Sequence, residues 1–280
     1  MAMEYGPIDS GQFKVVIFER GQATKASGEP LSPELTRMLM ADVLEADTEV
    51  FGTYAEFTND EYERSLLVNG AIAAVFNDRL ELRAKAGLMV GGVGRVAVAN
   101  YEKSLPSGFA HQEGYLTKPD AQRKGLQMHL LRALEMVGRH QRGINTFTAA
   151  FEPFNVTSMR NFVRAGYVPG IVFDPHYLKI PDQDQKDPCF VALKVGDKPV
   201  EFNPRLIDYI DVTEENSPKT TSDITRLMDD GNVCVAVDYL PSDKDHDGIG
   251  ARNIFVPLRT LEPEVASKIR NMQTQITERL

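Results

Sequence analysis

The stretch that decides the fold is Pro119-Asp120-Ala121-Gln122-Arg123-Lys124-Gly125-Leu126-Gln127, which leads from an extended segment into an amphipathic one. Residues Phe109 to Lys118 before it have the pattern of a β-strand. After it, apolar residues recur on one helical face at Leu126, Leu130, Leu134 and Val137. A glycine-bearing turn at a helix N-terminus gathers backbone N–H groups that lack intrahelical partners, and the helix dipole adds partial positive charge. The turn is therefore suited to bind a phosphate or pyrophosphate.

Two cations strengthen this interpretation. Arg123 and Lys124 place full positive charges beside the N–H groups, and Gly125 lets a ligand approach without a Cβ in the way. The chain as a whole carries a formal charge of −9, so its surface should repel nucleic acid and anionic membranes. The cationic pair is a local exception, which favours an anion site. The alternative is a basic turn that caps an ordinary helix, with both side chains in solvent.

Two sequence blocks resemble one known family. Gln122 to Gln127 (QRKGLQ) resembles the pyrophosphate loop of the GNAT acyltransferases, Gln/Arg-x-x-Gly-x-Gly/Ala, and Pro119 precedes it by three positions, as is common there. Asn155 to Tyr167 (NVTSMRNFVRAGY) is similar to the family's pattern of Asn, a small residue three positions later, and finally Lys/Arg-x-Gly-aromatic. The blocks occur in the family's order, one helix and one strand apart, so together they are more specific than either alone.

The resemblance implies an α/β fold with a GNAT-like mixed, mainly antiparallel sheet flanked by helices. We expect a GNAT-like acyl-CoA-binding domain over residues 12–195 and an α+β extension of unknown role over residues 196–280. Ser32-Pro33-Glu34 predicts the start of a first helix, with Ser32 as its N-cap. A second helix is predicted over Asp60 to Val68. In the family this helix pair covers the acceptor site.

The remaining elements follow from periodicity and turn residues. Predicted strands are Phe13 to Glu19, Ala71 to Phe76, Leu80 to Met89, Gly94 to Asn100, Phe109 to Lys118, Asn145 to Phe151, Val168 to Lys179, Cys189 to Val195 and Asn232 to Leu240. Predicted helices are Leu126 to Gln141, Val156 to Ala165, Asp223 to Met228 and a polar terminal helix, Glu262 to Leu280, solvated on most of its surface. Residues Gly21 to Pro33 are predicted to form a loop.

The resemblance also implies the chemistry. Acyl-CoA, most simply acetyl-CoA, would lie with its pyrophosphate on the loop and its pantetheine along the preceding strand. A backbone N–H near Leu116 would polarise the thioester carbonyl. The cofactor-binding residues expected on this basis are Tyr115, Leu116, Thr117, Gln122, Arg123, Lys124, Gly125, Leu126, Gln127, Asn155 and Ser158. The acceptor is an amine of a small molecule or peptide.

A base must remove a proton from the attacking amine, because only a neutral amine is nucleophilic. Glu113 and His111 are the candidates: they share one strand face at a spacing of two, and family bases often lie on this strand. The alternatives are a partly buried structural histidine and a solvated strand carboxylate.

Two residues depart from the family pattern. Gln127 stands where the loop has a small residue, and Phe162 stands where the family often has a Tyr that protonates the leaving thiolate. The thiolate would then take its proton from water or from another residue such as Tyr115 or Tyr177, or no group would protonate it. These departures keep open a second hypothesis, a non-catalytic GNAT-like module that binds acyl-CoA as a sensor or serves as an interaction scaffold.

Other motifs are weaker. Gly92 to Ala97 matches a lone dinucleotide fingerprint, but β-prone residues and Pro106 follow it, which favours a strand turn. Asp243 to Gly248 resembles the start of a calcium loop, yet the twelfth position is Ile254 rather than Glu, so we expect a solvated turn and no metal. With two isolated cysteines and no apolar run of about 20 residues, we expect a cytoplasmic protein. A homodimer is left open.

Overall fold

The computed structural model describes residues 13–25, 27–51, 70–90, 108–151, 155–173, 189–213, 217–240 and 250–277. The chain forms two compact units. The first holds the described residues up to Phe147 and the second those from Thr148 onward. The predicted division into 12–195 and 196–280 remains a prediction.

The first unit contains an antiparallel sheet in the order β2-β1-β3-β4-β5. Its strands are β1 (Phe13–Glu19), β2 (Gln22–Lys25), β3 (Gly70–Asn77), β4 (Leu82–Val90) and β5 (Phe109–Thr117). Its helices are α1 (Pro33–Phe51) and α2 (Leu126–Arg142). The predicted α/β class with a mainly antiparallel sheet and flanking helices is confirmed. Strand β2 corrects one prediction, since Gln22–Lys25 was expected in a loop and instead pairs with β1.

An apolar cluster holds α1 on one face of this sheet. Leu39, Val43 and Ala46 from the helix are buried against strand residues that include Val16, Phe18, Ile72, Phe76, Met89 and Leu116. The N-terminus of α1 is capped as predicted, because the Leu35 N–H donates to Ser32 Oγ at 3.2 Å.

Helix α2 buries an almost continuous apolar stripe, namely Leu126, Leu130, Leu131, Ala133, Leu134 and Val137. The helix ends at Gly143, whose φ of +65° is left-handed, as is common after a helix. Its last residue, Arg142, donates from Nε to Glu19 at 2.8 Å and from a terminal nitrogen to the Gly70 carbonyl at 3.1 Å. The helix is thus fixed to β1 and β3 at its C-terminus.

The second unit contains two antiparallel strand groups, β6-β8-β7 and β10-β11-β9, and the first two residues of β6 are counted with the first unit. The strands are β6 (Thr146–Phe151), β7 (Tyr167–Phe173), β8 (Cys189–Lys194), β9 (Asp208–Thr213), β10 (Asn232–Tyr239) and β11 (Gly250–Pro257). The helices are α3 (Val156–Arg164), α4 (Ser217–Asp229) and α5 (Pro263–Thr277). Strands β9 and β11 were not predicted.

Gly166 ends α3 as expected. Its φ is +87°, and a Cβ there would lie 2.2 Å from the Gly196 carbonyl oxygen. On the helix itself, Arg160 packs over the Tyr239 ring of β10, with its guanidinium carbon 4.9 Å from the ring centroid. Residues beyond 195 therefore pack directly on α3.

The terminal helix α5 is more firmly packed than its polar composition indicates. Ala266, Ile269, Met272 and Ile276 form a buried stripe. Gln273 donates to the Gly170 carbonyl at 2.7 Å and Lys268 to the Val195 carbonyl at 2.9 Å. The helix is therefore solvated on most of its surface, as expected, and is buried along this one face.

Several predicted features lie outside the described residues. They are the helix Asp60 to Val68, the strand Gly94 to Asn100, the end of the strand Val168 to Lys179, the motif Gly92 to Ala97 and the acidic turn Asp243 to Gly248. Within the part of the chain that is described, no helix is long and apolar enough to cross a membrane.

Candidate functional site

The predicted phosphate loop lies between β5 and α2. A single 3-10 turn over Pro119–Ala121 follows the strand, and Gln122 then continues in an extended conformation, with ψ of 160°. Gly125 is the N-cap of α2 and has no side-chain capping hydrogen bond. The carbonyl of Gly125 accepts from the N–H groups of Met128 and His129 at 3.1 and 3.4 Å. The chain therefore arrives at the helix through an exposed turn of four residues, Gln122 to Gly125.

Two residues of this turn adopt left-handed backbone conformations. The φ angle is +63° at Arg123 and +73° at Gly125. Glycine tolerates this conformation, whereas arginine loses about 1–2 kcal/mol in it. Strain of this kind tends to occur at functional sites. A Cβ built on Gly125 would meet no atom of the described chain within 4 Å, so the space above this residue is open to a ligand.

The turn presents a row of backbone donors. Among the described residues, no acceptor contacts the N–H groups of Arg123, Lys124, Gly125 and Leu126. Successive N–H groups in a turn with left-handed residues form a concavity that binds anions. The positive end of the α2 dipole lies at the same point. The turn thus has the features of the anion site that the sequence predicts, and the site remains a prediction.

The start of the loop is anchored by a residue that the sequence reasoning missed. Arg83 of β4 pairs with Asp120 in the 3-10 turn at 2.5 Å, and its carbonyl accepts from the Lys118 N–H at 2.9 Å. The second cation also helps to shape the turn, because Lys124 Nζ donates to the Asp120 carbonyl at 2.9 Å and lies 5.4 Å from the centre of the Phe13 ring. No local pattern identifies Arg83, since its partner lies 37 residues away.

Strand β5 contains a β-bulge just before the loop. In the pairing of β4 with β5, Lys85 lies opposite Leu116 and Gly87 lies opposite Glu113. These positions are two residues apart along β4 and three residues apart along β5, so β5 contains one additional residue. The additional residue lies near Gly114, whose φ is +62°, as is usual for bulges built on a left-handed glycine. The bulge redirects the strand immediately before Leu116 and Thr117, the residues expected to follow the pantetheine.

The two base candidates differ in what the structure shows. His111 is buried, with 7% of its surface exposed, and burial lowers its pKa from 6.5 to about 4. The imidazole is therefore neutral near pH 7 and a weak proton acceptor. Glu113 lies two residues along β5 and pairs with Gly87 in the sheet.

Tyr115 is turned toward its own strand. Its hydroxyl donates to Gln112 Oε1. Burial raises the pKa of this hydroxyl well above its usual value, and the nearby carboxylate of Glu135 raises the pKa further. The phenol therefore holds its proton firmly.

Asn155 and Ser158 belong to the second unit, at the N-terminus of α3. Asn155 Oδ1 accepts from the Ser158 N–H at 3.2 Å, which is an N-cap hydrogen bond. Phe162, on the same helix, is a core residue: it is 2% exposed and packs edge-on against Tyr167, with ring centroids 5.0 Å apart. The assignment of Asn155 and Ser158 to the cofactor remains a prediction.

Among the described residues, no group of three or more His, Cys, Asp or Glu side chains is arranged to hold a metal ion.

No family model matches this chain, and no curated protein sequence matches it. Solved structures do resemble it. A GNAT-family acetyltransferase from Staphylococcus aureus is 11% identical, with 63% of this chain and 97% of that chain covered and a TM-score of 0.40. An acyl-CoA N-acyltransferase from Pseudomonas aeruginosa is 14% identical, with coverages of 55% and 89% and a TM-score of 0.38. An acetyltransferase from Bacillus subtilis, solved in complex with CoA, is 16% identical, with coverages of 50% and 82% and a TM-score of 0.38.

The Staphylococcus aureus neighbour bears the name of the family that the two sequence blocks resemble. At these identities and TM-scores the likeness identifies neither an activity nor a substrate. The function proposed below therefore rests on the residues of the loop and of β5.

Proposed function

We propose that the protein is an N-acyltransferase that moves an acetyl or other short acyl group from acyl-CoA directly to an amine of a small molecule or peptide. The observation that carries the proposal is the α2 N-terminus. There, four backbone N–H groups without acceptors in the described chain lie beside Arg123 and Lys124, in a turn with two left-handed residues. A pyrophosphate supplies the charge and the acceptor oxygens that such a turn lacks.

The strand before the loop supplies the reaction geometry. The pantetheine would run along Tyr115, Leu116 and Thr117, which bring its thioester to the bulge. An N–H near Leu116 would stabilise the negative charge that develops on the carbonyl oxygen, a contribution of about 3–4 kcal/mol for a well-placed donor.

In the proposed reaction the amine nitrogen attacks the thioester carbonyl carbon, the C–S bond breaks, and the CoA thiolate leaves. One proton must leave the amine, and we assign its removal to Glu113. His111, whose pKa burial lowers to about 4, is a weak proton acceptor, because an effective base has a pKa near the working pH.

A second function is favoured by one observation. Phe162 is packed in the core and has no proton to give, and the Tyr115 hydroxyl donates to Gln112. The thiolate then receives its proton from solvent or from Tyr177, which lies outside the described residues, or the protein binds acyl-CoA without transferring the acyl group. The second case is a sensor or interaction module.

The test is a calorimetric titration with acetyl-CoA together with a CoA-release assay over a panel of amines. Binding with amine-dependent release supports the acyltransferase and ranks its acceptors. Binding without release from any amine supports the sensor. Absence of binding contradicts both functions and leaves the fold alone.

A further inference from the structure

The β-bulge of β5 is closed by a hydrogen bond between two side chains of the same strand. In a regular strand, Gln112 and Tyr115 would point to opposite faces, because they are three residues apart. The extra residue at Gly114 brings them to one face, where the Tyr115 hydroxyl donates to Gln112 Oε1. Gln112 is itself buried, with 1% of its surface exposed.

This contact can exist only while the bulge exists. If the strand slipped by one residue to regular pairing, the two side chains would separate to opposite faces. Both polar groups would then lose a partner in a buried setting, which is unfavourable. The hydrogen bond therefore favours the bulged register over the regular one.

The bulge lies immediately before the residues that matter for the proposed reaction. Leu116 and Thr117 follow it directly, and the 3-10 turn and the loop from Gln122 to Gly125 come next. A change of register at Gly114 would change the direction of the Leu116 N–H.

We propose that Gln112 is a positioning residue, which acts through Tyr115 to hold the bulge and so directs the Leu116 N–H toward the acyl carbonyl. The inference rests on the proposed acyltransferase function. It assigns a role to Gln112 that the sequence motifs do not, and it gives the Tyr115 hydroxyl a structural task in place of proton donation.

The experiment compares Gln112→Met, Tyr115→Phe and the double variant with two controls, Gln22→Met and Tyr209→Phe, whose side chains are exposed. We expect each single variant to lower kcat about tenfold. This decrease is smaller than the decrease in kcat that complete removal of an oxyanion donor produces. The KM for acyl-CoA should stay unchanged. The double variant should be no slower than either single one, because each change removes the same hydrogen bond. The controls should match the wild type.

Three kinetic results would overturn the proposal. One is an unchanged kcat in Gln112→Met. Another is a kcat loss in Tyr115→Phe alone with a changed high-pH limb of the pH–rate profile, which would identify the hydroxyl as a proton donor. The third is full additivity in the double variant.

A measurement independent of activity separates this proposal from the proposed function. Hydrogen exchange of the amides from Gln112 to Lys118 should accelerate in both single variants and not in the controls. Unchanged exchange would show that the pair does not hold the bulge. If the wild-type protein bound no acetyl-CoA, the proposed function would be wrong. The exchange data would still decide whether the hydrogen bond between Gln112 and Tyr115 holds the bulge.

Discussion

The N-termini of α2 and α3 solve the same physical problem in opposite ways. Every helix begins with N–H groups that have no intrahelical acceptor. At α3 the chain supplies one itself, because Asn155 Oδ1 accepts from the Ser158 N–H at 3.2 Å. At α2 the cap is Gly125, which has no side chain to offer.

The difference supports the proposal that the α2 terminus binds a ligand. A side-chain cap supplies one acceptor from within the chain and contributes about 1 kcal/mol to stability. A terminus without such a cap and with two adjacent cations offers its N–H groups to an acceptor from outside, and its positive charge favours an anion there. Helix α1 follows the first pattern, through Ser32. Of these three helices, α2 alone has no side-chain cap, which supports the proposed anion site.

The largest effect is expected from Gly125→Asp. A carboxylate about 4 Å from a phosphate is repelled by about 4 kcal/mol, so we expect acetyl-CoA binding to weaken about a thousandfold. The measurement is a calorimetric titration. Gly143→Asp is the matched control, because Gly143 ends the same helix with a similar φ of +65° and open space at its Cβ. Equal losses of affinity in both variants would show that strain, not phosphate repulsion, is responsible.

Acid should destabilise the first unit through His111. Its pKa is about 4 when folded and near 6.5 when unfolded. As the pH falls, the unfolded chain therefore binds the proton at a higher pH than the folded chain does. The contribution of neutral His111 to the free energy of unfolding is fully present above pH 6.5 and is lost as the pH falls through about 4. The loss should reach about 3 kcal/mol. Urea denaturation between pH 7 and 4 measures it.

The variant that tests this assignment is His111→Gln, which should flatten the slope of stability against pH. His140→Gln, an exposed change on α2, should leave the slope unchanged. If hydrogen exchange in α3 accelerated before that in β5 as the pH fell, the acid-sensitive group would lie in the second unit instead.

Arg123 combines a useful charge with an unfavourable backbone conformation. Arg123→Gly and Arg123→Gln should both weaken acetyl-CoA binding by up to about tenfold, since an exposed charge contributes about 1 kcal/mol. High salt should reduce the difference in acetyl-CoA affinity between these variants and the wild type. Because φ is +63°, the Gly variant should be about 1 kcal/mol more stable than the Gln variant. Arg226→Gln on α4 is the control, and equal stabilities would argue against backbone strain.

The smallest effect is expected at the capped terminus. Asn155→Ala should lower the free energy of unfolding by about 1 kcal/mol, and Asn155→Asp should restore it, because aspartate also caps. Ser32→Ala at α1 provides the comparison. A large loss of acetyl-CoA affinity in Asn155→Asp at unchanged stability would show that Asn155 also contacts the cofactor, as the family resemblance implies.

Much of this was accessible from the sequence. The predicted start of α2 at Leu126 was correct and its predicted end at Gln141 was one residue short, because an apolar stripe at helical spacing is bounded by Gly125 and Gly143. The stop of α3 near Gly166 was also correct. The short strands β2, β9 and β11 were missed because their local patterns are weak and their pairing partners define them.

The sequence by itself predicts where an anion site lies: a glycine turn with two cations, between an extended segment and an amphipathic helix. That signal is local, and the backbone physics of a helix N-terminus makes it readable. The tertiary structure decided three further points. The bulge depends on the pairing of β5 with β4, and the anchor of the loop depends on Arg83, 37 residues from its partner. The low pKa of His111 depends on burial, which a sequence pattern does not measure.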